Sequence, residues 1–508
     1  MLFKRTKPLD LILETASKRS LTRQLGAFDL TMLGIGAVIG TGIFVLTSVA
    51  ANKAGPGMMY SFVIAGIVCA LTALIYSEIA SMVPVAGSAY TYSYAVLGEL
   101  VAWMVGWALI LEYAVAAGAV SVGWSGYANG ALAQIGMGLP VALTAGPFDT
   151  VTLADGTIAK GGFNLIAFLL ALLVTALLVW GTSKSAKVTA VLVLVKIAAL
   201  SVFVALAFPA VDQANFEPML PNGWGTPLSG VGVLGAAAVI FFAYVGFDAV
   251  STAAEETKNP NRNIPIGLIG SLAICTIFYL LVAYTAVGAM GAQPGGELSQ
   301  SKEPLAFILK EIGWPKIGFL VGVAAIVALP SVVLMMMFGQ TRILFTMARD
   351  GLLPEKLSAV HPKYQTPHVI TWITGIFVAF FAALFPVGVL AEISNAGTLF
   401  AFTAVAIGVM VLRKTDPNRP RPFKTPLIWI VGPLAVAGCV LLFFSLGWNP
   451  TIKFFCFWAA LGLVLYFAYA RRRSHLAPGN EHLLHAGHDH SVKLEPDPLV
   501  RQGPDAGP

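Results

Sequence analysis

Lys196 has the most unusual setting in this sequence, because it lies within the apolar stretch TAVLVLVKIAALSVF. An ammonium group surrounded by apolar side chains is costly, and burial favours the loss of its proton. A lysine in this setting can bind and release a proton, and can therefore couple a process to a proton gradient. The alternative is a permanent cation that pairs with a carboxylate or with backbone carbonyls.

Two carboxylates lie in comparable apolar stretches. Glu112, in WALILEYAVAAG, could bind the side chain of a ligand, relay a proton or bond to a neighbouring helix. Asp248, in AAAVIFFAYVGFDAVSTAAEE, could face a ligand pathway or cap an interrupted helix, since a carboxylate within a membrane usually has a partner or lines a pathway. Glu78 and Glu392 lie nearer the ends of their apolar stretches, and we predict structural roles for them.

Glycines crowd the first apolar stretch, LTMLGIGAVIGTGIFVLTSVAA. Glycine weakens a helix, and an interrupted helix within a membrane is tolerated where the freed backbone lines a protein cavity. Ile39, Gly40, Thr41 and Gly42 are therefore predicted to form a break. The N–H groups exposed at such a break suit a carboxylate. The alternative is a close helix–helix contact through Gly36 and Gly40.

The apolar stretch that contains Asp248 is the sixth along the chain, and it is also interrupted. Residues 242–246, FAYVG, break the helical pattern with aromatic residues and a glycine. Two interrupted helices at corresponding places in the two halves of a chain are typical of the binding site of a secondary transporter. The first and sixth helices are therefore predicted to form a ligand site together.

The composition indicates which solvent these helices face. Only 11% of the 508 residues are charged, 57% are hydrophobic, and the mean hydropathy is +0.80. A soluble domain carries about 25% charged residues, so this chain lacks the charge to cover a surface exposed to water. Soluble, disordered, collagen-like, coiled-coil and nucleic-acid-binding proteins are thereby excluded, and a protein embedded in a lipid bilayer remains.

Twelve stretches are long and apolar enough to span a bilayer, which predicts an all-α polytopic membrane protein. They lie at about 28–50, 57–82, 96–128, 163–181, 185–209, 230–256, 264–291, 316–349, 367–387, 388–413, 426–447 and 452–471. Spans 1–5 and 6–10 would form two inverted halves, because each half holds an odd number of spans. The predicted units are a cytoplasmic segment 1–27, the halves 28–209 and 210–413, helices 11–12 in 414–471, and a disordered cytoplasmic tail 472–508.

The basic residues predict the orientation of the chain. With the N-terminus in the cytoplasm, 24 of the 31 Lys and Arg residues fall inside and six fall outside, and Lys196 lies within a span. This bias follows the positive-inside rule and places both termini in the cytoplasm. The segment EPLAFILKEIG at 303–313 is predicted to form an amphipathic helix in the outer interface.

Several long motifs resemble the signature stretches of one family. GIGAVIGTGIFVLT, FFAYVGFDAVSTAAEE, GQTRILFTMARDGLLP with VHPKYQTP, and NPNRNIPIG are similar to motifs of the cationic amino acid transporter family, in the amino acid–polyamine–organocation superfamily. The resemblance covers residues 20–470 approximately, and the chain length is that of the bacterial members. It implies a LeuT-type fold, with a 5+5 inverted repeat, broken helices 1 and 6 and two further helices. It also implies an amino acid permease of the bacterial inner (plasma) membrane.

The resemblance assigns the substrate site to the two breaks. Backbone groups of residues 38–42 would hold the α-carboxylate of an amino acid, and a carbonyl there would meet the α-amino group. Carbonyls of Phe242, Ala243 and Val245 would complete the ammonium site, with Phe242 as an aromatic gate. Glu112 and Asp248 correspond to acidic positions near the site. The predicted substrate-binding residues are Val38, Ile39, Gly40, Thr41, Gly42, Phe242, Ala243, Tyr244, Val245, Glu112 and Asp248.

The resemblance also implies a function, because Lys196 stands where proton-coupled relatives carry a lysine in place of a sodium ion. We expect proton-coupled symport of cationic or small neutral L-amino acids by alternating access. The alternatives are an exchanger without net proton coupling and a substrate sensor. The sequence holds no GxxxxGK[ST] motif and no pattern of a nucleophile with a base or of metal ligands within the spans. We therefore predict no enzymatic activity, cofactor or metal; the expected partners are the amino acid, the proton and the bilayer, and a small membrane subunit is left open.

Overall fold

The structure, a computed structural model, describes residues 5–9, 12, 25–84, 88–152, 157–181, 186–254, 257–361, 363–364 and 366–480. Most of the predicted N-terminal segment 1–27 and residues 481–508 of the predicted disordered tail lie outside the described residues.

Most of the described chain is helical, as predicted. The first half holds α1 (Ala27–Val38), α2 (Thr41–Phe44), α3 (Leu46–Ala54), α4 (Met58–Met82), α5 (Ser88–Val96), α6 (Glu99–Gln134), α7 (Val141–Thr144), α8 (Leu165–Trp180) and α9 (Ala186–Ala207). The remaining helices are α10 (Gly232–Ile240), α11 (Ala249–Thr252), α12 (Pro260–Met290), α13 (Glu297–Gln300), α14 (Pro304–Glu311), α15 (Pro315–Arg349), α16 (His368–Leu384), α17 (Val387–Thr415), α18 (Ile428–Ser445), α19 (Lys453–Leu465) and α20 (Arg471–Arg473). Two short strands within the described ranges, β1 (Thr150–Thr152) and β2 (Ile158–Lys160), pair as an antiparallel hairpin between α7 and α8.

Eight helical segments of the described chain are long and apolar enough to cross a membrane, and four shorter apolar helices accompany them. The shorter ones are α1, α8, α16 and the segment Gly232–Tyr244. With a rise of about 1.5 Å per residue, α1 covers only about 18 Å of the roughly 30 Å hydrocarbon layer. Helix α1 is therefore too short to cross this layer alone, and α2 and α3, which follow the break, continue the path of the chain.

Two long helices, α6 and α12, make the most extensive packing contacts in the described chain. Helix α6 lies along both α15 and α17, while α12 lies along α1 and α4. Large apolar side chains cover the outer surface, as shown by the exposed fractions of Leu194 on α9 (58%), Ile430 on α18 (56%) and Phe457 on α19 (65%). An apolar outer surface of this kind is suited to lipid rather than to water.

The first helix is interrupted where the glycines predict a break. Regular helical geometry ends at Val38, and Ile39 is extended, with φ −72° and ψ 99°. Gly40 has φ −148° and ψ −149°, and a helix resumes at Thr41. The break, rather than an uninterrupted helix with a contact through Gly36 and Gly40, is therefore what the structure shows.

The sixth predicted span is also interrupted, with a different backbone geometry. Helix α10 continues as a 3-10 turn, Phe241–Tyr244, after which Val245 is extended with φ −63° and ψ 138°. Gly246 has a φ of +114°, a conformation that favours glycine. The chain then turns into the short helix α11.

Glu78 and Glu392 are structural, as predicted. Glu78 accepts two hydrogen bonds from the Arg413 guanidinium, at 2.6 and 2.7 Å, and joins α4 to the end of α17. Glu392 forms an ion pair with Lys53 at 2.8 Å and so joins α17 to α3. The predicted amphipathic helix is present as α14, and its apolar side chains Leu305, Ile308 and Leu309 are buried, with α15 as its main packing partner.

Candidate functional site

The two interrupted helices touch each other at their breaks. A Cβ atom at Gly42 would lie 2.2 Å from the Cα atom of Ala243, and a Cβ atom at Gly246 would lie 2.9 Å from the carbonyl oxygen of Ala37. Neither position has room for a side chain, because the neighbouring atoms belong to the backbone. Glycine at these two positions therefore lets the two breaks come into direct contact.

Tyr279 on α12 bonds to both breaks. Its buried hydroxyl oxygen lies 2.9 Å from the carbonyl oxygen of Val38 and 2.8 Å from that of Ala243. The neighbouring Tyr244 donates instead to the carbonyl of Phe62 on α4, at 3.0 Å. Tyr279 is therefore a direct side-chain link between the two breaks.

A cavity lies at the breaks, with α6 and α15 as its other walls. Six of the predicted substrate-binding residues line it: Val38, Gly40, Thr41, Gly42, Phe242 and Val245. Four further residues line it as well: Ala37, Val120, Val332 and Met336. The remaining predicted residues do not line this cavity: Ile39, Glu112, Lys196, Ala243, Tyr244 and Asp248.

One side of the cavity carries unused hydrogen-bond donors. The amides of Gly40, Thr41 and Gly42 form no hydrogen bond with any described residue. The hydroxyl of Thr41 is buried and has no partner among them either. These N–H groups lie where a helix begins, and the positive end of the helix dipole adds to their attraction for an anion. The arrangement is suited to a small carboxylate.

The carbonyls at the other break are partly used within the protein. The carbonyl of Phe242 accepts from the amide of Val245 at 3.2 Å, and that of Ala243 accepts from Tyr279. A carbonyl oxygen has two lone pairs, so each can accept one more donor. Asn395 on α17 fixes the preceding turn, because its side-chain amide donates to the carbonyls of Ala238 and Val239 at 2.7 and 3.0 Å.

Lys196 lies beside the first break rather than in the cavity. Its ammonium donates to the carbonyl of Gly36 at 2.8 Å, and only 1% of the residue is exposed. Gly36 belongs to the last turn of α1, where the helix dipole favours a cation. The carbonyl contact expected of a permanently charged Lys196 is therefore present. A change of charge on Lys196 would act directly on the helix end that forms the cavity.

Glu112 and Asp248 form a second buried group, separate from the cavity wall. Tyr113 donates to the Asp248 carboxylate at 3.2 Å, and the Asp248 side chain does not cap α11. One carboxylate oxygen of Glu112, Oε2, is buried without a hydrogen-bond partner among the described residues. Because Tyr113 follows Glu112 in α6, its bond to Asp248 puts the two carboxylates in the same buried region of the protein.

Comparison with known proteins places the chain in a family. Residues 25–467 match the family described as amino acid permease. The chain belongs to this family. The permease is 46% identical over 474 residues to the branched-chain amino acid permease BcaP of Bacillus subtilis (strain 168), which covers 93% of this chain and 98% of BcaP.

Two other relatives have different names and similar coverage of the permease. It is 42% identical over 471 residues to the methylthioribose transporter of Bacillus subtilis (strain 168), covering 92% of this chain and 98% of that protein. It is 36% identical over 422 residues to the vacuolar cationic amino acid transporter 4 of Arabidopsis thaliana, covering 82% and 67%. The permease is thus a multi-pass membrane protein for amino acid transport, and it is not an enzyme.

Several residues that form the site of the permease were not predicted from the sequence. Tyr279 binds the backbone at both breaks, and Asn395 binds the last turn of α10 before the second break. A signal for both exists, because a buried tyrosine or asparagine in an apolar helix needs a hydrogen-bond partner. Val120, Val332 and Met336 give no such signal. They are apolar residues in apolar helices, and only the packing of α6 and α15 brings them to the cavity.

Proposed function

We propose that the permease is a proton-coupled symporter of L-amino acids with apolar side chains, working by alternating access. The observation that carries this proposal is the cavity between the breaks, which has unpartnered amides on one side and apolar side chains around the rest. An amino acid has a carboxylate for the amides, an ammonium for the carbonyls and a side chain for the apolar wall.

The backbone would recognise the parts that all amino acids share. The amides of Gly40, Thr41 and Gly42, with the Thr41 hydroxyl, would bind the α-carboxylate. Carbonyls of Phe242 and Val245 would receive the α-ammonium group, and the ring of Phe242 would cover it. Recognition by backbone atoms tolerates many side chains, so the walls set the preference among them.

The walls favour a neutral substrate over a cationic one. Val120, Val332 and Met336 face the cavity, and no acidic side chain lines it within the described chain. A guanidinium or ammonium side chain would lie there without a counter-charge, which is costly. The name of BcaP, a branched-chain amino acid permease, agrees with this preference. Methylthioribose, in the name of a second relative, lacks both charged groups of an amino acid and therefore serves as a test ligand.

Proton coupling would reside at Lys196. Its ammonium holds the last turn of α1 through the carbonyl of Gly36. Loss of the proton would remove a positive charge from the last turn of α1, which adjoins the carboxylate side of the cavity. Protonation would therefore favour the substrate-binding arrangement of the break, and deprotonation would favour release.

Alternating access would use the predicted topology. The eight long segments and four shorter apolar helices together support twelve spans, the first of which would begin with α1 and break after Val38. The halves 28–209 and 210–413 would form an inverted LeuT-type repeat, with two more helices in 414–471. The distribution of Lys and Arg supports cytoplasmic termini in a bacterial plasma membrane.

Uptake by the purified protein in liposomes tests the coupling. With an inside-alkaline pH gradient, the wild type should accumulate labelled leucine. Lys196→Met should abolish this accumulation while counterflow at equal pH persists, and Lys160→Met, on the exposed strand β2, should behave as the wild type. Accumulation by Lys196→Met would show that the lysine is structural. Uptake only into vesicles preloaded with leucine would identify an exchanger, and binding without any uptake would identify a sensor.

A competition series tests the substrate class. Leucine, isoleucine and valine should displace labelled leucine, whereas leucine methyl ester should fail because its carboxylate charge is lost. Arginine should compete weakly. Equal competition by arginine or by methylthioribose would contradict the assignment of the cavity to apolar amino acids.

A further inference from the structure

The segment that follows α6, residues 135–148, carries an exposed apolar surface, and we call it the outer insert. The sequence from 113 to 148 contains no Asp, Glu, Lys, Arg or His. The next residue, Asp149, is paired with Lys302 at 2.8 Å. The large apolar side chains that the outer insert exposes, with exposed fractions between 37% and 65%, are Ile135, Met137, Leu139, Leu143 and Phe148. An uncharged surface of this kind is poorly suited to water.

The outer insert is bonded to the start of α8. The carbonyl of Ala142 accepts a hydrogen bond from the amide of Phe163 at 2.8 Å, and the carbonyl of Ala145 accepts one from the amide of Gly162 at 3.0 Å. Residues 162 and 163 come directly before Asn164, the residue that caps α8. The outer insert therefore lies at this end of α8.

The outer insert also continues the surface of α16. A Cβ atom at Gly146 would lie 2.2 Å from the carbonyl oxygen of Leu384, the last residue of α16, so the two backbones are in direct contact. The exposed ring of Phe148 stacks on Phe385, with 5.0 Å between centroids and 19° between planes. Phe385 in turn packs against Phe381 of α16, with 5.4 Å between centroids. A row of aromatic rings thus joins the outer insert to α16.

The lengths of α8 and α16 indicate the depth of this contact in a membrane. The two helices have 16 and 17 residues, which is about 24 and 26 Å, less than the roughly 30 Å hydrocarbon layer. Their sides expose apolar residues such as Leu173 (57%) and Ile373 (56%). Their ends meet beside the outer insert, where the amide of Asn164 donates to the carbonyl of Ala383 at 3.0 Å. At this depth backbone groups need partners within the protein, and the outer insert supplies two of them.

We propose that the outer insert lies within the membrane interface, where its exposed apolar side chains contact the lipid of one leaflet. In the predicted topology this is the outer leaflet. Lipid is the partner that fits, because the surface is uncharged and is continuous through Phe148 with the apolar surface of α16. The outer insert then completes the spans of α8 and α16 at the ends where these helices are too short. This inference does not depend on the substrate or on proton coupling.

Spin labelling of the full chain in phosphatidylcholine liposomes tests the contact with lipid. Cys456, the exposed cysteine, is first changed to serine, and the other three cysteines are buried. A nitroxide is then attached to Met137→Cys. Oxygen concentrates in hydrocarbon and a neutral nickel chelate stays in water, so the ratio of their collision rates with the label reports its depth. Leu173→Cys, on the exposed side of α8, is the lipid reference, and Glu297→Cys, exposed on α13, is the water reference.

The oxygen-to-nickel ratio at Met137→Cys should be several-fold higher than at Glu297→Cys and approach that at Leu173→Cys. A ratio equal to that at Glu297→Cys would show that the outer insert faces water and would overturn the proposal. Protection from both reagents would overturn it as well, because protein would then cover the surface; spin–spin broadening that disappears on dilution with unlabelled protein would identify a second copy. Leu143→Cys repeats the measurement if thermal unfolding shows that Met137→Cys is not folded. A failure of transport leaves these readings unchanged.

Discussion

The contact between the two breaks makes Gly42→Ala an informative single substitution. The added Cβ would lie 2.2 Å from Ala243 Cα and 2.9 Å from its nitrogen. Non-bonded carbon atoms pack at about 3.5–4.0 Å, so the breaks must separate by at least about 1.3 Å. The obstructing atoms include backbone atoms of a packed helix, and a change of rotamer cannot relieve the overlap.

This separation has a cost that can be worked from the structure. Tyr279 reaches Val38 at 2.9 Å and Ala243 at 2.8 Å, and an opening of this size takes at least one carbonyl out of hydrogen-bond range. One lost hydrogen bond costs about 0.5–1.5 kcal/mol, and overpacking costs about 1–3 kcal/mol. The total is about 1.5–4.5 kcal/mol, and at 1.4 kcal/mol per factor of ten the affinity for leucine should fall at least about tenfold.

Equilibrium binding of labelled leucine to purified protein, with thermal unfolding as a test of folding, measures this effect. Gly270→Ala is the matched control, because a Cβ on that glycine of α12 meets only Thr31, at 3.6 and 3.7 Å. Adding Ala243→Gly to Gly42→Ala should restore binding in part, since it removes the Cβ atom at 2.5 Å and leaves the Cα atom at 2.2 Å. A folded Gly42→Ala protein with wild-type affinity would refute the conclusion that contact between the breaks builds the site.

Three further substitutions test other parts of the structure. Thr41→Val should weaken leucine binding by up to about tenfold. It should not lower the melting temperature, because the Thr41 hydroxyl has no partner among the described residues. Unchanged leucine binding would show that the Thr41 hydroxyl does not bind the substrate. Arg413→Ala should destabilise the protein by about 3 kcal/mol because it leaves Glu78 buried with less compensation, whereas Arg419→Ala, at a partly exposed ion pair, should cost about 0–1 kcal/mol in the same thermal unfolding assay. Burial raises the pKa of Glu303 from 4.5 to about 7, so the wild-type protein loses stability as the pH rises from 4.5 towards 7. Gln does not titrate, so the melting temperature of Glu303→Gln minus that of the wild type should rise over this interval. A melting-temperature difference that does not change with pH would contradict the burial effect.

The sequence predicts the breaks well because their cause is local. The glycines at 40 and 42 weaken a helix wherever they occur, and the sequence 242–246 combines aromatic residues with a glycine that adopts a positive φ. Lys196 was predicted as important for a similar reason, since its apolar neighbours in sequence already require a partner. In each case, the relevant physical signal lies within a few residues of the chain.

The walls of the cavity depend on distant contacts and could not be predicted in the same way. Val332 and Met336 reach the site because α15 packs along α6, and Tyr279 reaches both breaks because α12 packs along α1. Glu112 and Asp248 were predicted for the substrate site, and neither of them lines the cavity. Their cost of burial is visible in the sequence, whereas the direction in which they point is not.

The hydroxyl of Tyr279 faces two acceptors with a single proton. It lies within hydrogen-bond distance of the carbonyls of Val38 and Ala243, and a phenol can donate fully to only one of them at a time. In the absence of substrate, the junction of the two breaks is therefore short by one donor. A substrate ammonium, received by the carbonyls of Phe242 and Val245, brings three donors. It could donate its third proton to the carbonyl of Val38, which also lines the cavity, and so leave the Tyr279 hydroxyl to Ala243. An amino acid would then complete the hydrogen bonding between the two interrupted helices. Substrate binding would therefore also stabilise the contact between the two breaks.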